Sequence, residues 1–416
     1  MRVGDIGNAG AVKYGKPLDG IRVLAIEQMQ ALPYATQMLA RLGAEVIKVE
    51  HPKFGESGRT STPTMKDPEG RDVGSTFLRN NLDKRSVGID LKADEGKALI
   101  KALVPHFDVV AENFKSGAMA KMGLGYDDLS AVHPGLIYLS VSGFGNTVES
   151  PYDGWPAYAG VAEAMASLYS WSTPVGTPPK ISPLGALGDT GSGVFAVIGV
   201  LAALRHRDAT GEGQYVDISM FDCMVALADV MLQYDAMEVE RTPGDPGLLI
   251  LDSFLASDGY FMIQVGREHQ FERLANIIGC PEWLTDERFA TRQGWVDHKE
   301  TVIRPAIEGW AADKKKVDVC RLFAEGGVAA GPCNSPADVM ADPHVIARNM
   351  VVEMDRTDGV ERPVVTPGNP VKLSKMAEGP ETRVPWVGEH TSDVLAAELG
   401  LDDAELARLR EAGVIN

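Results

Sequence analysis

The feature that most constrains this chain is a repeated alternation of short β-rich runs with amphipathic helical stretches, beginning at Ile21. IRVLAI (residues 21–26) reads as a buried strand, PYATQMLARL (33–42) as a helix closed by Gly43, and EVIKVE (45–50) as a second strand. The pattern returns in SVGIDL, in the helical stretch DEGKALIKAL (94–103), in FDVVAE and LIYLSVSGFG, and later in YVDISM. Strands separated by helices require crossover connections, so the predicted fold class is α/β with a largely parallel sheet. The stretch SPYDGWPAY reads as loop. GDPG at residues 244–247 breaks the pattern, and residues 248 to about 331 read as a second, smaller domain: DGYFMIQV as a strand, then helical HQFERLANII and VCRLFAEGG. The tail carries strand-like VVEMDR and PVKLSK and a helical end, SDVLAAEL and DDAELARLREAG.

At 416 residues the chain can bury the cores that two domains need. A formal net charge of −18 argues against nucleic-acid and anionic-membrane partners, which require a surplus of Lys and Arg. No apolar h-region opens the sequence and no later run reads as membrane-spanning, so a cytoplasmic location is expected. Cys223, Cys280, Cys320 and Cys333 are scattered without metal-ligand spacing, which fits free thiols and no metal site.

Residues 184–193 read LGALGDTGSG, placing Asp189 among four glycines ahead of an apolar run that predicts a buried helix over 194–205. A phosphate loop is disfavoured, because a carboxylate among N–H donors repels phosphate and the spacing is GxxGxxGxG. An aspartic protease needs two such carboxylates, and Asp-Thr-Gly occurs once. A helix N-cap is the plain structural role for Asp189. That role is compatible with chemistry. The helix N-terminus would lower its pKa and keep it ionised, and an ionised carboxylate attacks activated acyl groups. The glycines would admit a substrate and leave N–H groups for an oxyanion.

With this loop in view, the chain resembles the class III CoA-transferase family, which includes formyl-CoA and carnitine CoA-transferases and the α-methylacyl-CoA racemases. The resemblance runs from LDGIRVLAIEQMQALPYATQMLARLGAEVIKVEHP through NLDKRSVGIDLK, VVAENFKSGAMAKMGLGYDDL, LSVSGFG, GALGDTGSG, HRDATGEGQYVDISMFD and GVAAGPCNSPADVMADPH to VPWVGEHTSDVLAAELGL. It implies a Rossmann-like large domain with a parallel sheet, a smaller α+β domain, and a homodimer of interlocked rings. Residues 1–225 would form the N-terminal part of the large domain, 226–331 the small domain with its linkers, and 332–416 the part returning to the large domain. Asp189 falls on the family's catalytic carboxylate, and coenzyme A enters as a substrate, with no permanently bound cofactor and no metal.

Residue by residue, the resemblance places Gln30 and Ala31 near the pantetheine and thioester, and His51 where transferases often carry an Arg to phosphate. It places Ile89 and Lys92 at adenine-side and phosphate-side contacts, Asn113 and Phe114 at the ENF contact, Lys121 and Met122 at the basic-Met pair, and Tyr158 beside the pantetheine arm. Pro156 stands where a Lys sometimes contacts phosphate. Apart from the family, Ile89, Phe114 and Met122 read as core and Lys92 and Lys121 as solvated surface.

The racemases pair the Asp with a His, and Ala157 aligns with that His; no histidine occurs between His133 and Asp189. The transferase branch is therefore expected, moving CoA from an acyl-CoA to a free carboxylic acid; a racemase, or an idle CoA-binding protein on this fold, is the alternative. The glycine run that many transferases close over the intermediate is missing from GDPGLLILDSFLASDG, which sets formyl-CoA and oxalate apart.

Overall fold

The structure, a computed structural model, describes all residues except Val175, 182–184 and 241–246. Leu184 of the glycine loop and residues 244–246 of the pattern break therefore lie outside the described residues. The chain forms two compact units, residues 1–240 with 344–416, and residues 241–343.

The first unit is built on six strands: β1 (Arg22–Ile26), β2 (Glu45–Glu50), β3 (Lys84–Gly88), β4 (Val109–Glu112), β5 (Ile137–Ser142) and β6 (Gln214–Ser219). All neighbours pair in parallel, in the order β3-β2-β1-β4-β5-β6. This is the Rossmann-like order, with chain reversal between β1 and β4. Side chains alternate across a strand, and β1 shows the result. Val23 and Ala25 join the core with α1 (Ala31–Arg41), whereas Leu24 and Ile26 join the core on the other face. That second core includes Val394, Leu395, Leu406 and Leu409 from the terminal helices Thr391–Leu399 and Asp403–Glu411. A strand covered on both faces must be apolar throughout, which is why β1 lacks polar alternation.

Four helices frame the site: α1, α2 (Ser75–Asn80), α3 (Ala159–Met165) and α4 (Leu187–Thr210). Pro33 is tolerated because it sits in the first turn of α1, where its missing N–H has no helical acceptor. The 24-residue α4 ends at Gly211, whose φ of 77° suits glycine and whose N–H bonds to the Arg207 carbonyl.

Two expectations for α4 are corrected. By length and composition it is apolar enough to cross a membrane, although no run read as spanning; the glycines and Asp189 break up its apolar pattern. Nor is it buried all round. Ala196, Val200 and Ala203 are enclosed, but Val194, Ile198 and Leu201 are 47%, 55% and 38% exposed. PVKLSK also forms no strand; Val351–Met354 pairs instead with Val364–Pro367. Pro370 has no N–H to give to a ladder.

The second unit has an antiparallel sheet of Ile250–Ala256, Gly259–Val265 and Ala329–Pro332, covered by helices that include Glu268–Ile278 and Lys316–Glu325. Phe254, Phe261, Phe323 and Trp295 fill its core.

Candidate active site

Ligands of open α/β sheets bind outside the carboxyl ends of the strands, where the connections diverge. Here that place lies between the loops following β1 and β4. Asn113 ties the two loops together: its side-chain oxygen accepts the Gln28 N–H and its amide donates to the Gln28 carbonyl, both at 2.9 Å. Beside this tie opens a cavity of about 350 Å³, lined by Gln30, Ala31, Asn113, Phe114, Tyr158 and Asp189 among others. Residues from four separated parts of the sequence thus meet at one opening. A larger hollow of about 550 Å³ is lined by Glu45, Val46, Lys84 and Arg85, the amino ends of β2 and β3. That is the wrong end of the sheet for an α/β active site.

The remaining candidate residues do not line the cavity. His51 follows β2 and is exposed; its Nδ1 accepts the Lys53 N–H at 3.1 Å. Lys92 and Lys121 are exposed, Met122 is half-buried against the core, and the Ile89 side chain is enclosed at 1% exposure. Tyr158, by contrast, is 73% exposed at the cavity rim.

Asp189 is held differently from the sequence expectation. The N-cap of α4 is Ala186, in the left-handed conformation (φ 62°), and Asp189 lies three residues inside the helix. The N–H groups of Asp189 and Thr190 bond to the Ala186 carbonyl at 3.1 and 3.0 Å. The Gly188 N–H bonds to Glu163 Oε1 at 2.8 Å. These three donors are occupied, so they do not serve an oxyanion as expected. Gly188 and Gly193 likewise admit protein and not substrate. A Cβ on Gly188 would stand 2.7 Å from Ala159 Cα, and one on Gly193 would stand 2.8 Å from the Ala31 carbonyl oxygen.

The expected lowering of the Asp189 pKa is also reversed. Burial pushes it up to about 6, the Glu163 charge adds to the rise, and Arg79 on α2 opposes it. Loss of hydration outweighs the favourable helix end. The carboxylate is still mostly ionised at neutral pH, and more basic than an exposed aspartate.

Sequence reasoning missed the charged layer beneath the β1–α1 loop. Met29 has a φ of 61° and its N–H bonds to Glu56 Oε2 at 2.9 Å. Glu56 lies 3.8 Å from Lys48, which with Lys84 faces Glu27 at 3.4 and 2.7 Å; these four side chains are buried. Burial opposes ionisation of Glu27, but the two lysines prevail and hold its pKa below the usual carboxylate range. A non-glycine residue with positive φ is costly and persists where its surroundings enforce it. Glu163 and Arg79 were missed as well. The one available signal was an acid inside the otherwise apolar helix AGVAEAM.

The protein belongs to CoA-transferase family III, which matches residues 18–391. It is 36% identical over 387 residues to a succinate–glutarate CoA-transferase of Agrobacterium fabrum, covering 91% of this chain and 95% of that one. A succinyl-CoA:mesaconate CoA-transferase of Haloarcula hispanica is 34% identical over 390 residues, covering 91% and 95%. The crystal structure of a CAIB/BAIF family protein from Brucella suis superposes with a TM-score of 0.80 at 34% identity, covering 92% of this chain and all of that one.

Proposed function

We propose that this protein moves CoA from an acyl-CoA thioester to a free carboxylic acid, with Asp189 as the nucleophile. The observation that carries the reading is the Asp189 carboxylate lining the cavity at the carboxyl ends of the parallel strands, together with Gln30, Ala31 and Asn113. An Asp189 oxygen attacks the thioester carbonyl and the C–S bond breaks, leaving a mixed anhydride and CoA thiolate. The thiolate attacks the Asp189 side-chain carbonyl and expels the donor acid as its carboxylate, giving an aspartyl-CoA thioester. The acceptor carboxylate attacks that thioester to form a second anhydride and thiolate. Thiolate attack on the acceptor's carbonyl then yields the new acyl-CoA and restores Asp189. Each step exchanges one carboxylate or thiolate for another, so no proton transfer and no metal is needed.

The relatives' names point to succinyl-CoA and dicarboxylic acids as the first substrates to test. The exposed Lys92 and His51 would face the phosphates of CoA and the backbone at Ile89, whose side chain is enclosed, its adenine side, with Lys121 and Met122 as the family's basic-Met pair. Ala157, which aligns with the racemase histidine, lines the cavity, and no histidine is among its lining residues. That favours transfer over racemisation. The active form would be the family's interlocked homodimer, a reading supported by the apolar stripe of Leu187, Val194, Ile198 and Leu201 left exposed on α4.

Incubation with succinyl-CoA followed by peptide mass spectrometry should find an acyl or CoA adduct on Asp189. Asp189→Ala should lose both adduct and turnover. An alanine variant that still exchanges CoA would sink the mechanism.

A further inference from the structure

Glu163 stands out because the proposed chemistry leaves it without a task. It is 5% exposed, on the inner face of α3, and makes no ion pair among the described residues. A buried carboxylate ordinarily has a cation beside it, because an isolated charge is expensive to desolvate. Here both oxygens are instead satisfied by neutral donors: Oε1 by the Gly188 N–H at 2.8 Å, and Oε2 by the Tyr169 hydroxyl. The Tyr169 ring is itself buried, and its hydroxyl pKa is pushed up to about 12 by burial and by Glu163. Neutral donors hold the charge in place without cancelling it. The residue bonded to Oε1 is the immediate neighbour of Asp189, and α3 approaches so closely that no side chain fits at Gly188.

We propose that Glu163 is a positioning residue for the nucleophile: it anchors the first turn of α4 through Gly188 and sets a fixed negative charge against ionised Asp189. The inference rests on the reading of Asp189 as the nucleophile. Acylation of Asp189 removes one of two like charges, so the repulsion exists before attack and disappears as the anhydride forms. An interaction relieved on the way to the transition state accelerates the step. The basicity imposed on the carboxylate also makes it a stronger nucleophile. The charged groups that act on Asp189 are Glu163 from α3 and Arg79 from α2, and Tyr169 faces the far oxygen of Glu163.

The test compares full-length wild type with Glu163→Gln and Glu163→Asp, reading the pH profile of kcat/KM for succinyl-CoA, thermal melting, and the adduct on Asp189. Glu163→Gln keeps an acceptor for Gly188 but loses the charge. Its acid limb should move down by about one pH unit, and kcat at neutral pH should fall about 3- to 10-fold. Glu163→Asp keeps the charge but shortens the reach, so its limb should stay near the wild-type position while kcat falls. A Gln variant that melts as wild type with an unmoved limb overturns the inference and leaves Asp189 as nucleophile untouched. If Glu163→Gln unfolds, a limb displaced from the wild-type position in Glu163→Asp, which keeps the charge, would overturn it. Absence of any adduct on wild-type Asp189 during turnover would remove both readings.

Discussion

Replacing Asp189 by Asn should make the protein inactive and, above neutral pH, more stable. The substitution keeps the size of the side chain and removes its charge. Folding raises the Asp189 pKa from its ordinary 3.8 to about 6, chiefly through burial and then through Glu163. The folded state therefore binds this proton more tightly than the unfolded state. Such a group costs nothing below the unfolded pKa, and its penalty grows as pH rises through the folded one. Roughly two pH units at about 1.4 kcal/mol each give about 3 kcal/mol. Water reaching a side chain that is not fully enclosed reduces this to about 2 kcal/mol. The assay is urea unfolding of wild type and Asp189→Asn, followed by circular dichroism at pH 8 and pH 4.5. The variant's midpoint should be higher at pH 8, with most of the gain gone at pH 4.5. A variant less stable at pH 8, or a gain equal at both values, would refute the view that the Asp189 carboxylate is held at a cost to the fold.

Two further outcomes follow from the geometry. Asn113→Ala cuts both bonds between the β1 and β4 loops, worth about 1 kcal/mol each to the fold, so melting should fall by a few degrees and kcat/KM for acyl-CoA should drop with it; unchanged kinetics would show that the tie does not shape the site. Ile198→Asp places a charge on the exposed stripe of α4 and should shift the protein toward monomer in sedimentation velocity, whereas an unaltered oligomer would move the subunit interface elsewhere.

Elements whose pattern is complete within their own residues were legible in the sequence. EVIKVE is β2, Glu45–Glu50, and DEGKALIKAL is the helix Asp94–Leu103, each at the bounds read from periodicity. PVKLSK failed because pairing needs a partner with a free edge, and local propensity says nothing about where that edge is. The α4 helix was visible, but which of its sides is covered was not, since an all-apolar helix carries no directional signal. LGALGDTGSG singled out Asp189, which the structure places at the cavity. Its surroundings were not legible, because Glu163 and Arg79 reach it only through the packing of α3 and α2. The N-cap expectation failed for a backbone reason: the left-handed turn at Ala186 starts the helix three residues earlier. The charged layer of Glu27, Lys48, Glu56 and Lys84 was hidden likewise, each residue passing singly for strand or loop polarity.

Gly193 lies one turn beyond Asp189 and leaves no space for a side chain against the Ala31 carbonyl or the Tyr34 ring. Asp189 and the start of α1 at Ala31 are therefore joined along a seam where a glycine meets backbone and the Tyr34 ring directly. Neither can drift without carrying the other. A lineage that retunes this enzyme for a different acid has almost no latitude along that seam. Its room for change lies in segments that reach the cavity from outside the seam, such as the loop leading to Tyr158.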